Sequence, residues 1–236
     1  MTSGGWRRPA RRCAGAPITW WWAARSARPP TRWRPWRPWR RRWSAPVRVD
    51  DVLRLLEQVG AWRRGHFRLT SGLHSPEFFL LSQAFQYPDT AAALGRALAE
   101  RLLEVGPRPQ VVAGPALGGI LLAHEVGRAL GARAIFAEAV PEGGMRLRRG
   151  FRVAPGERVY VVEDAVTTGG SVRAAIRAVE EAGGVVAAVG AVVDRSQDGV
   201  DFGVPFAALV RRPVPAYRPE DCPLCAQGEP LVSPKA

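Results

Sequence analysis

The sequence predicts an α/β fold in which a mainly parallel β-sheet is flanked by helices. Two observations lead to this prediction. Short runs rich in valine and alanine alternate with amphipathic stretches, which is typical of strands connected by helices on both faces of a sheet. Turns of small residues follow two of these runs, at residues 114–119 and 167–171, which is where such sheets bind ligands.

The predicted elements follow one another in a regular order. Residues 49–60 have apolar side chains at helical spacing, with Asp50 and Asp51 at the positive end of the helix dipole. A second amphipathic helix is predicted at residues 89–105. Strands are predicted at residues 111–113, 134–139, 158–162, 185–193 and 206–210, and helices that end at Leu130 and Glu181 follow the first and third of them.

The basic residues are concentrated at one end of the chain. The 236 residues carry a formal net charge of +13, but 12 arginines and eight of the nine tryptophans lie in residues 1–47, which contain no acidic residue. The rest of the chain has 22 basic and 21 acidic residues and is nearly neutral. A composition that is 47% hydrophobic and 23% charged excludes a wholly disordered or collagen-like protein.

Residues 1–46 are predicted to be an extension without a fold of its own, because proline and arginine interrupt any helix or strand. The segment is expected to be disordered, or to be translated from a start codon upstream of a natural start near Val47 or Val49. A basic, aromatic arm for nucleic acid and a targeting peptide are the alternatives. The apolar run at residues 18–24 is too short to span a membrane. We therefore expect neither a membrane nor a nucleic-acid partner.

Residues 47–236 form the second predicted domain. Its N-terminal part lies mainly at residues 47–85, and its C-terminal tail at residues 218–236. The chain contains three cysteines, too few for a disulfide framework, so we expect a reducing, cytoplasmic location.

The most informative stretch is residues 159–171, VYVVEDAVTTGGS. An apolar strand ends in Glu163 and Asp164, and a turn of small and hydroxyl residues leads into a helix. Backbone N–H groups at a helix N-terminus suit a phosphate, whereas carboxylates accept hydrogen bonds from ribose hydroxyls. The combination predicts a ribose 5-phosphate site. An ordinary strand–turn–helix with a solvated acidic turn is the alternative.

This stretch resembles the phosphoribosyl diphosphate signature of the type I phosphoribosyltransferases. Three further stretches, within a likeness that covers roughly residues 49–228, resemble the orotate phosphoribosyltransferase family. Residues 65–79 resemble the hood segment of its nucleobase pocket, and residues 114–123 resemble its diphosphate-binding loop. Residues 192–196, VVDRS, resemble the strand end that carries an arginine for the orotate carboxylate.

The resemblance implies transfer of the phosphoribosyl group of 5-phosphoribosyl 1-diphosphate to orotate, giving orotidine 5′-monophosphate and diphosphate in pyrimidine (UMP) biosynthesis. It also implies Mg²⁺ bound mainly through the diphosphate, and a homodimer. Glu163 and Asp164 would be catalytic, holding the ribose hydroxyls near the oxocarbenium-like transition state. The implied phosphoribosyl diphosphate site is Glu163, Asp164, Ala165, Val166, Thr167, Thr168, Gly169, Gly170, Ser171, Gly118, Gly119, Arg146 and Arg148. The implied orotate site is Thr167, Arg195, Phe78 and Phe79.

The sequence departs from the family at residues 136–152, where the best-studied members have a mobile loop with lysines and a His-Gly pair. This stretch contains neither lysine nor histidine, and Thr70 stands in the hood where some members have lysine. We expect Arg146, Arg148 or Arg149 to supply the positive charge that these lysines provide. The arginine could act in its own subunit or in the active site of a partner subunit. An arginine could neutralise charge there but not act as an acid. A solvated basic hairpin is the alternative.

Cys222 and Cys225 form a C-x-x-C pattern in the tail. One such pair supplies two of the usual four zinc ligands, and no second cysteine pair accompanies it. We therefore expect no metal site formed by the chain itself and a structural or incidental role for the pair. A metal shared between subunits and redox chemistry are the alternatives.

Two other functions are compatible with the phosphoribosyl signature. One is a phosphoribosyltransferase for a purine or another base, against which Arg195 and the hood segment argue. The other is a regulator that senses phosphoribosyl diphosphate and binds nucleic acid through residues 1–46.

Overall fold

The computed structural model describes residues 48–69 and 71–233. The predicted extension at residues 1–46 lies outside these described residues. So does Thr70, the hood residue at which some family members have lysine. Within the described part of the chain, no helix is both long enough and apolar enough to cross a membrane.

A small N-terminal hood precedes the main sheet. It consists of α1 (Val49–Gln58), β1 (Trp62–Arg68), β2 (His74–Phe79) and α2 (Ser82–Phe85). β1 and β2 pair antiparallel and form a hairpin. The spacing of apolar residues predicts α1, whereas charged residues interrupt the apolar alternation that would mark β1.

The main domain contains six strands and three long helices. The strands are β3 (Val111–Pro115), β4 (Arg133–Ala139), β5 (Met145–Leu147), β6 (Arg158–Val166), β7 (Val185–Asp194) and β8 (Phe206–Arg211). The helices are α3 (Pro88–Val105), α4 (Gly118–Leu130) and α5 (Gly170–Glu181). The strand order is β5-β4-β3-β6-β7-β8, and all neighbours are parallel except β4 and β5. The predicted α/β fold is confirmed, with one antiparallel strand added at an edge.

The sheet is buried on both faces, as its continuous apolar strands predict. On one face, α3 and α4 pack fully buried leucines against it, among them Leu102 and Leu122. On the other face, α5 packs Val172 and Val179 against the opposite side chains of the same strands. Gly190 of β7 lets α3 approach closely, because an added Cβ would lie 2.9 Å from Leu102 Cδ1. The two layers hold the strand ends in fixed positions.

Two regions differ from the predicted elements. β6 continues to Val166 instead of ending at Val162, since it pairs with β7 as far as Asp194. In residues 136–152, β4 and β5 form a hairpin in which Glu138 lies opposite Arg146. Both differences arise from pairing between strands, which local periodicity does not record.

The C-terminal tail returns to the hood and pairs with both of its strands. It contains a 3₁₀ turn at Pro219–Asp221 and the short helix α6 (Pro223–Ala226). His74 and Tyr217 exchange two backbone hydrogen bonds of 2.8 Å, which add the tail to β2. On the other strand of the hairpin, the Val232 N–H donates to the His66 carbonyl at 2.9 Å, which adds the end of the tail to β1.

Candidate active site

The sheet topology brings two glycine-rich turns together. β3 and β6 are neighbours at the point where the strand order reverses, and parallel sheets bind ligands at such a point. The turn after β3 contacts the end of β6, since a Cβ added to Gly118 would lie 2.9 Å from both carboxylate oxygens of Asp164. A Cβ added to Gly119 would lie 2.8 Å from the Val162 carbonyl oxygen. Glycine is therefore needed at both positions, and the Ala116–Leu117 peptide between β3 and this turn is cis.

The acidic pair lies inside β6 rather than in a loop after it. Glu163 is buried, and its Oε1 accepts a hydrogen bond of 3.1 Å from the Asp164 N–H. Asp164 Oδ1 accepts one of 2.7 Å from the Ala165 N–H. Burial, followed by the neighbouring Asp164 charge, raises the pKa of Glu163 to about 8. Burial likewise raises the pKa of Asp164. The two carboxyl groups are thus poorly solvated, and any hydrogen-bond donor that reaches them will be bound favourably.

The turn between β6 and α5 forms a cradle suited to an anion. Gly169 is the N-cap residue of α5, and its φ of 77° is in the left-handed region that favours glycine. The adjoining cavity measures about 150 Å³ and offers hydroxyl groups and a helix N-terminus, the features that bind phosphate. It is lined by Glu163, Ala165, Val166, Thr167, Thr168, Gly169, Gly170, Ser171 and Val172.

A second and larger cleft adjoins the cradle and reaches the hood. Its volume is about 450 Å³, and it shares Ala165 and Thr167 with the cradle. It is lined by Leu69, Ser71, Phe78, Phe79, Leu80, Leu81, Ser82, Asp164, Ala165, Thr167 and Arg195. The structure therefore brings together all four residues of the predicted orotate site, at one end of the predicted ribose phosphate site.

Arg195 follows β7 and presents its guanidinium to this cleft. Its backbone N–H donates to the Val166 carbonyl at 2.7 Å, which fixes the residue beside the end of β6. The guanidinium carbon lies 5.5 Å from the centre of the Phe79 ring. The buried Nε has no hydrogen-bond partner among the described residues. Burial lowers the pKa of Arg195, an effect that the charge of Glu77 opposes. A planar anion in the cleft would satisfy this donor.

Phe78 and Phe79 form part of the apolar wall of the cleft. Both are buried, and being consecutive strand residues they pack in different directions. Phe79 stacks on Trp62 at 6.0 Å, whereas Phe78 contacts Phe67 at 5.8 Å. The wall is thus held by aromatic contacts within the hairpin.

The arginines of residues 136–152 lie away from these cavities within one chain. Arg146 lines a separate cleft of about 250 Å³ with Arg177 and Glu181 of α5, and Arg148 is exposed. Arg149 binds Glu138 in an ion pair of 2.8 Å, so its charge is already neutralised. The structure does not bring Arg146 or Arg148 to the predicted phosphoribosyl diphosphate site of the same subunit.

Several residues of the site are absent from the sequence analysis. Leu69 and Ser71 line the cleft and fall within the predicted segment at residues 65–79, whereas the stretch 80–82 also lines it and was not predicted. Glu77 has a supporting role, because it accepts hydrogen bonds from Trp62 Nε1 at 2.9 Å and from Arg212 Nε at 3.1 Å. Burial favours a raised pKa of Glu77, but these hydrogen bonds outweigh it and hold the pKa below its usual value. This ionised side chain ties the hood to the end of β8.

Among the described residues, no second cysteine pair lies beside Cys222 and Cys225, but two histidines do, and the sequence prediction did not consider them. His66 and His74, from the two strands of the hood, lie beside the cysteines, and one donor atom from each of the four residues falls within 4.8 Å of the others. The sequence gives little signal for this grouping, since about 150 residues separate the two pairs.

The chain is similar to known phosphoribosyltransferases in sequence. A family model described as "Phosphoribosyl transferase domain" matches residues 82–201. The orotate phosphoribosyltransferase of Pelotomaculum thermopropionicum is 51% identical over 185 residues, which are 78% of this chain and 96% of the relative. That of Thermus thermophilus is 51% identical over 181 residues, which are 77% of this chain and 98% of the relative.

Solved structures show the same likeness. Orotate phosphoribosyltransferase from Aeropyrum pernix superposes with a TM-score of 0.57 at 25% identity, over 68% of this chain and 93% of the other. The enzyme of Mycobacterium tuberculosis H37Rv in complex with inorganic phosphate gives 0.56 at 27% identity, over 69% and 96%.

Proposed function

Because this chain belongs to the orotate phosphoribosyltransferase family, we propose that it transfers the phosphoribosyl group of 5-phosphoribosyl 1-diphosphate to orotate. The products are orotidine 5′-monophosphate and diphosphate, and the reaction belongs to pyrimidine biosynthesis. The observation that carries the proposal is a pair of adjoining cavities: an anion cradle lined by Glu163, and a cationic, aromatic pocket lined by Asp164 and Arg195.

The cradle at residues 167–171 fits the 5′-phosphate. N–H groups of the first turn of α5 and the hydroxyls of Thr167, Thr168 and Ser171 supply donors, and the helix dipole favours the negative charge. Glu163 and Asp164 would repel phosphate and accept hydrogen bonds from ribose hydroxyls instead. The nearness of the acidic pair to the cradle supports a site for a ribose that carries a phosphate.

The pocket near the hood fits orotate. Arg195 lines this pocket, and an arginine can donate two parallel hydrogen bonds to a carboxylate. Thr167 adds a hydroxyl, and Phe79 provides apolar surface for the pyrimidine ring. Adenine and hypoxanthine carry no carboxylate, so Arg195 would remain buried and unpaired with either of them.

The reaction breaks the bond between ribose C1 and the diphosphate oxygen and forms a bond from C1 to a ring nitrogen of orotate. Positive charge develops on the ribose as the diphosphate leaves. The half-exposed carboxylate of Asp164 lies next to the diphosphate turn at Gly118, where it can stabilise this charge. Catalysis in this proposal consists of positioning and electrostatics, without a covalent enzyme intermediate.

We also propose Mg²⁺ as the cofactor, bound mainly through the substrate diphosphate. The donor set fits this ion, because Mg²⁺ prefers oxygen ligands and the carboxylate of Asp164 faces the turn at Gly118. When bound, the ion would neutralise charge on the leaving diphosphate. The cytoplasmic location expected from the cysteine content stays a prediction, as do the phosphoribosyl diphosphate contacts of residues 163–171.

A homodimer is the further part of this proposal. Arg146 and Arg148 do not reach the cleft of their own subunit, so they would act in the cleft of the partner. Leu117 and Leu121, at the diphosphate turn and the first turn of α4, are 84% and 52% exposed. Apolar side chains at this place support a subunit interface next to the active site.

The proposal is tested by following the loss of orotate absorbance with phosphoribosyl diphosphate and Mg²⁺. Arg195→Lys keeps the positive charge but removes the pair of parallel hydrogen bonds to the carboxylate. The KM for orotate should therefore rise about 30-fold, whereas the KM for phosphoribosyl diphosphate should change little. Arg96→Lys, on the exposed surface of α3, is the matched control. Folded protein that ignores orotate and transfers to adenine or hypoxanthine would contradict the proposed acceptor.

A further inference from the structure

Four side chains from distant parts of the chain meet where the tail crosses the hood. His66 lies on β1 and His74 on β2, whereas Cys222 precedes α6 and Cys225 lies within it. His66, His74 and Cys222 are buried, with exposed fractions of 3%, 5% and 3%. Cys225 closes the group on its exposed side, and both cysteines are free thiols. The proposed transfer reaction uses none of these four residues.

The distances between the donor atoms match a tetrahedral metal site. His66 Nε2 lies 3.0 Å from His74 Nδ1, 3.5 Å from Cys222 Sγ and 3.7 Å from Cys225 Sγ. Cys225 Sγ lies 3.2 Å from His74 Nδ1. Zinc bonds of about 2.3 Å to sulfur and about 2.0 Å to nitrogen require tetrahedral edges of roughly 3.3–3.8 Å. These four spacings run from 3.0 to 3.7 Å and the two remaining pairs lie within 4.8 Å, so an ion fits between the donor atoms after shifts of up to about 1 Å.

The orientation of His66 supports the same conclusion. Its Nδ1 lies 2.9 Å from the carbonyl oxygen of Glu229, which can only accept a hydrogen bond. The Nδ1 therefore carries the proton, and the lone pair of Nε2 points toward His74 and the two cysteines. A backbone carbonyl that fixes the tautomer of a ligating histidine is a common feature of protein metal sites.

We propose that His66, His74, Cys222 and Cys225 bind one structural Zn²⁺ ion. Two thiolates and two neutral imidazoles form a common zinc ligand set, and the two thiolate charges balance the charge of the ion in a largely buried position. Four protein ligands leave no open position for a substrate, which is the property of a structural site.

The ion would join the tail to the strands that carry the nucleobase pocket. His74 begins β2, whose last residues, Phe78 and Phe79, line the cleft. The tail already pairs with β2 at Tyr217 and with β1 at Val232. The metal would fasten the segment between these two contacts and thereby fix the position of the hairpin.

Metal analysis of untagged, reduced protein tests the inference independently of the transferase activity. We expect about one zinc per chain, and less than about one fifth of that in Cys225→Ser, whose exposed position should let the variant fold. His124→Ala is the matched control, because His124 is an exposed histidine of α4 outside the group, and its zinc content should equal that of the wild type.

Cobalt substitution tests the geometry. Metal-free protein titrated with Co²⁺ should develop the intense visible bands of tetrahedral coordination together with a thiolate-to-cobalt charge-transfer band, saturating at one equivalent. Cys225→Ser should weaken the charge-transfer band. Zinc-free wild-type protein that binds neither Zn²⁺ nor Co²⁺ after full reduction would overturn the inference, as would equal metal binding by wild type and Cys225→Ser.

Discussion

Glu163 has an unfavourable environment for its charge. Burial, followed by the charge of Asp164, raises the pKa of this carboxyl to about 8, from about 4.5 for an ordinary glutamate. Since the unfolded chain releases the proton first, the free energy of unfolding should fall as the pH rises through this interval. Burial of the acidic pair near the end of β6 therefore costs stability in the substrate-free protein.

Glu163→Gln should remove this cost. The variant should gain roughly 1–3 kcal/mol of stability over the wild type when the pH is raised from 5.5 to 8.5, because it has no buried charge to accommodate. Urea unfolding of the substrate-free protein at both pH values measures this difference. The same variant should lose most of its turnover.

Glu180→Gln provides the control for this comparison. Glu180 lies on the exposed face of α5, so the substitution should shift the free energy of unfolding equally at both pH values. A stability difference for Glu163→Gln that is the same at pH 5.5 and 8.5 would show that burial does not raise the pKa of Glu163.

At the scale of elements, the turn that begins α5 has two adjacent glycines with different requirements. Gly169 has a φ of 77°, and an added Cβ would lie 2.8 Å from Phe202 Cε1 and 2.9 Å from Val200 Cγ1. At Gly170 the nearest atom to an added Cβ is Thr168 Oγ1, at 3.8 Å. The first glycine is required by the fold, whereas the second leaves room for a side chain.

Gly169→Ala should therefore lower the free energy of unfolding by roughly 1–3 kcal/mol, through backbone strain and the clash with Phe202. Gly170→Ala should leave it unchanged or raise it slightly, because alanine restricts the unfolded chain. Thermal unfolding of the two variants side by side measures the difference. Equal losses would mean that both positions are under the same steric constraint.

The predicted helices and parallel strands are found because their signal is local. An apolar run bounded by small residues identifies β3, β6 and β7 wherever they pair in the sheet. The missed elements depend on partners instead. β5 is three residues long and forms only against β4, and the charged hairpin β1–β2 is stabilised by the tail and by Glu77. β6 extends past its predicted end because β7 supplies a partner for the acidic residues.

The candidate site shows the same division between local and distant information. Residues 163–171 are contiguous, so one motif predicts the acidic pair and the cradle together. Arg195 and Phe79 are placed by their resemblance to a family, and their contact across the cleft is visible only in the fold. The group proposed to bind zinc, formed by His66, His74, Cys222 and Cys225, has no continuous motif. The hood supplies its histidines and the tail supplies its cysteines.

At the scale of the whole molecule, the position of the hairpin β4–β5 has a consequence for assembly. Arg149 is paired with Glu138, whereas Arg146 and Arg148 lie outside the cleft of their own chain. If they complete the site of the partner subunit, each active site of the dimer combines Asp164 from one chain with the two arginines of the other. A subunit mixture can then recover activity that neither parent has.

We therefore expect complementation between Asp164→Asn and a double variant, Arg146→Ala with Arg148→Ala. Each should be nearly inactive alone, because every site of its homodimer lacks one component. After subunit exchange, a statistical mixture contains hybrids with one intact site, and its specific activity should reach about one quarter of the wild-type value.

Arg152→Ala, which replaces an exposed arginine just after the hairpin, should be active alone and serves as the control. Verified hybrid dimers without recovered activity would show that the arginines do not act across the interface, and full activity of the double variant would show that they do not serve catalysis at all.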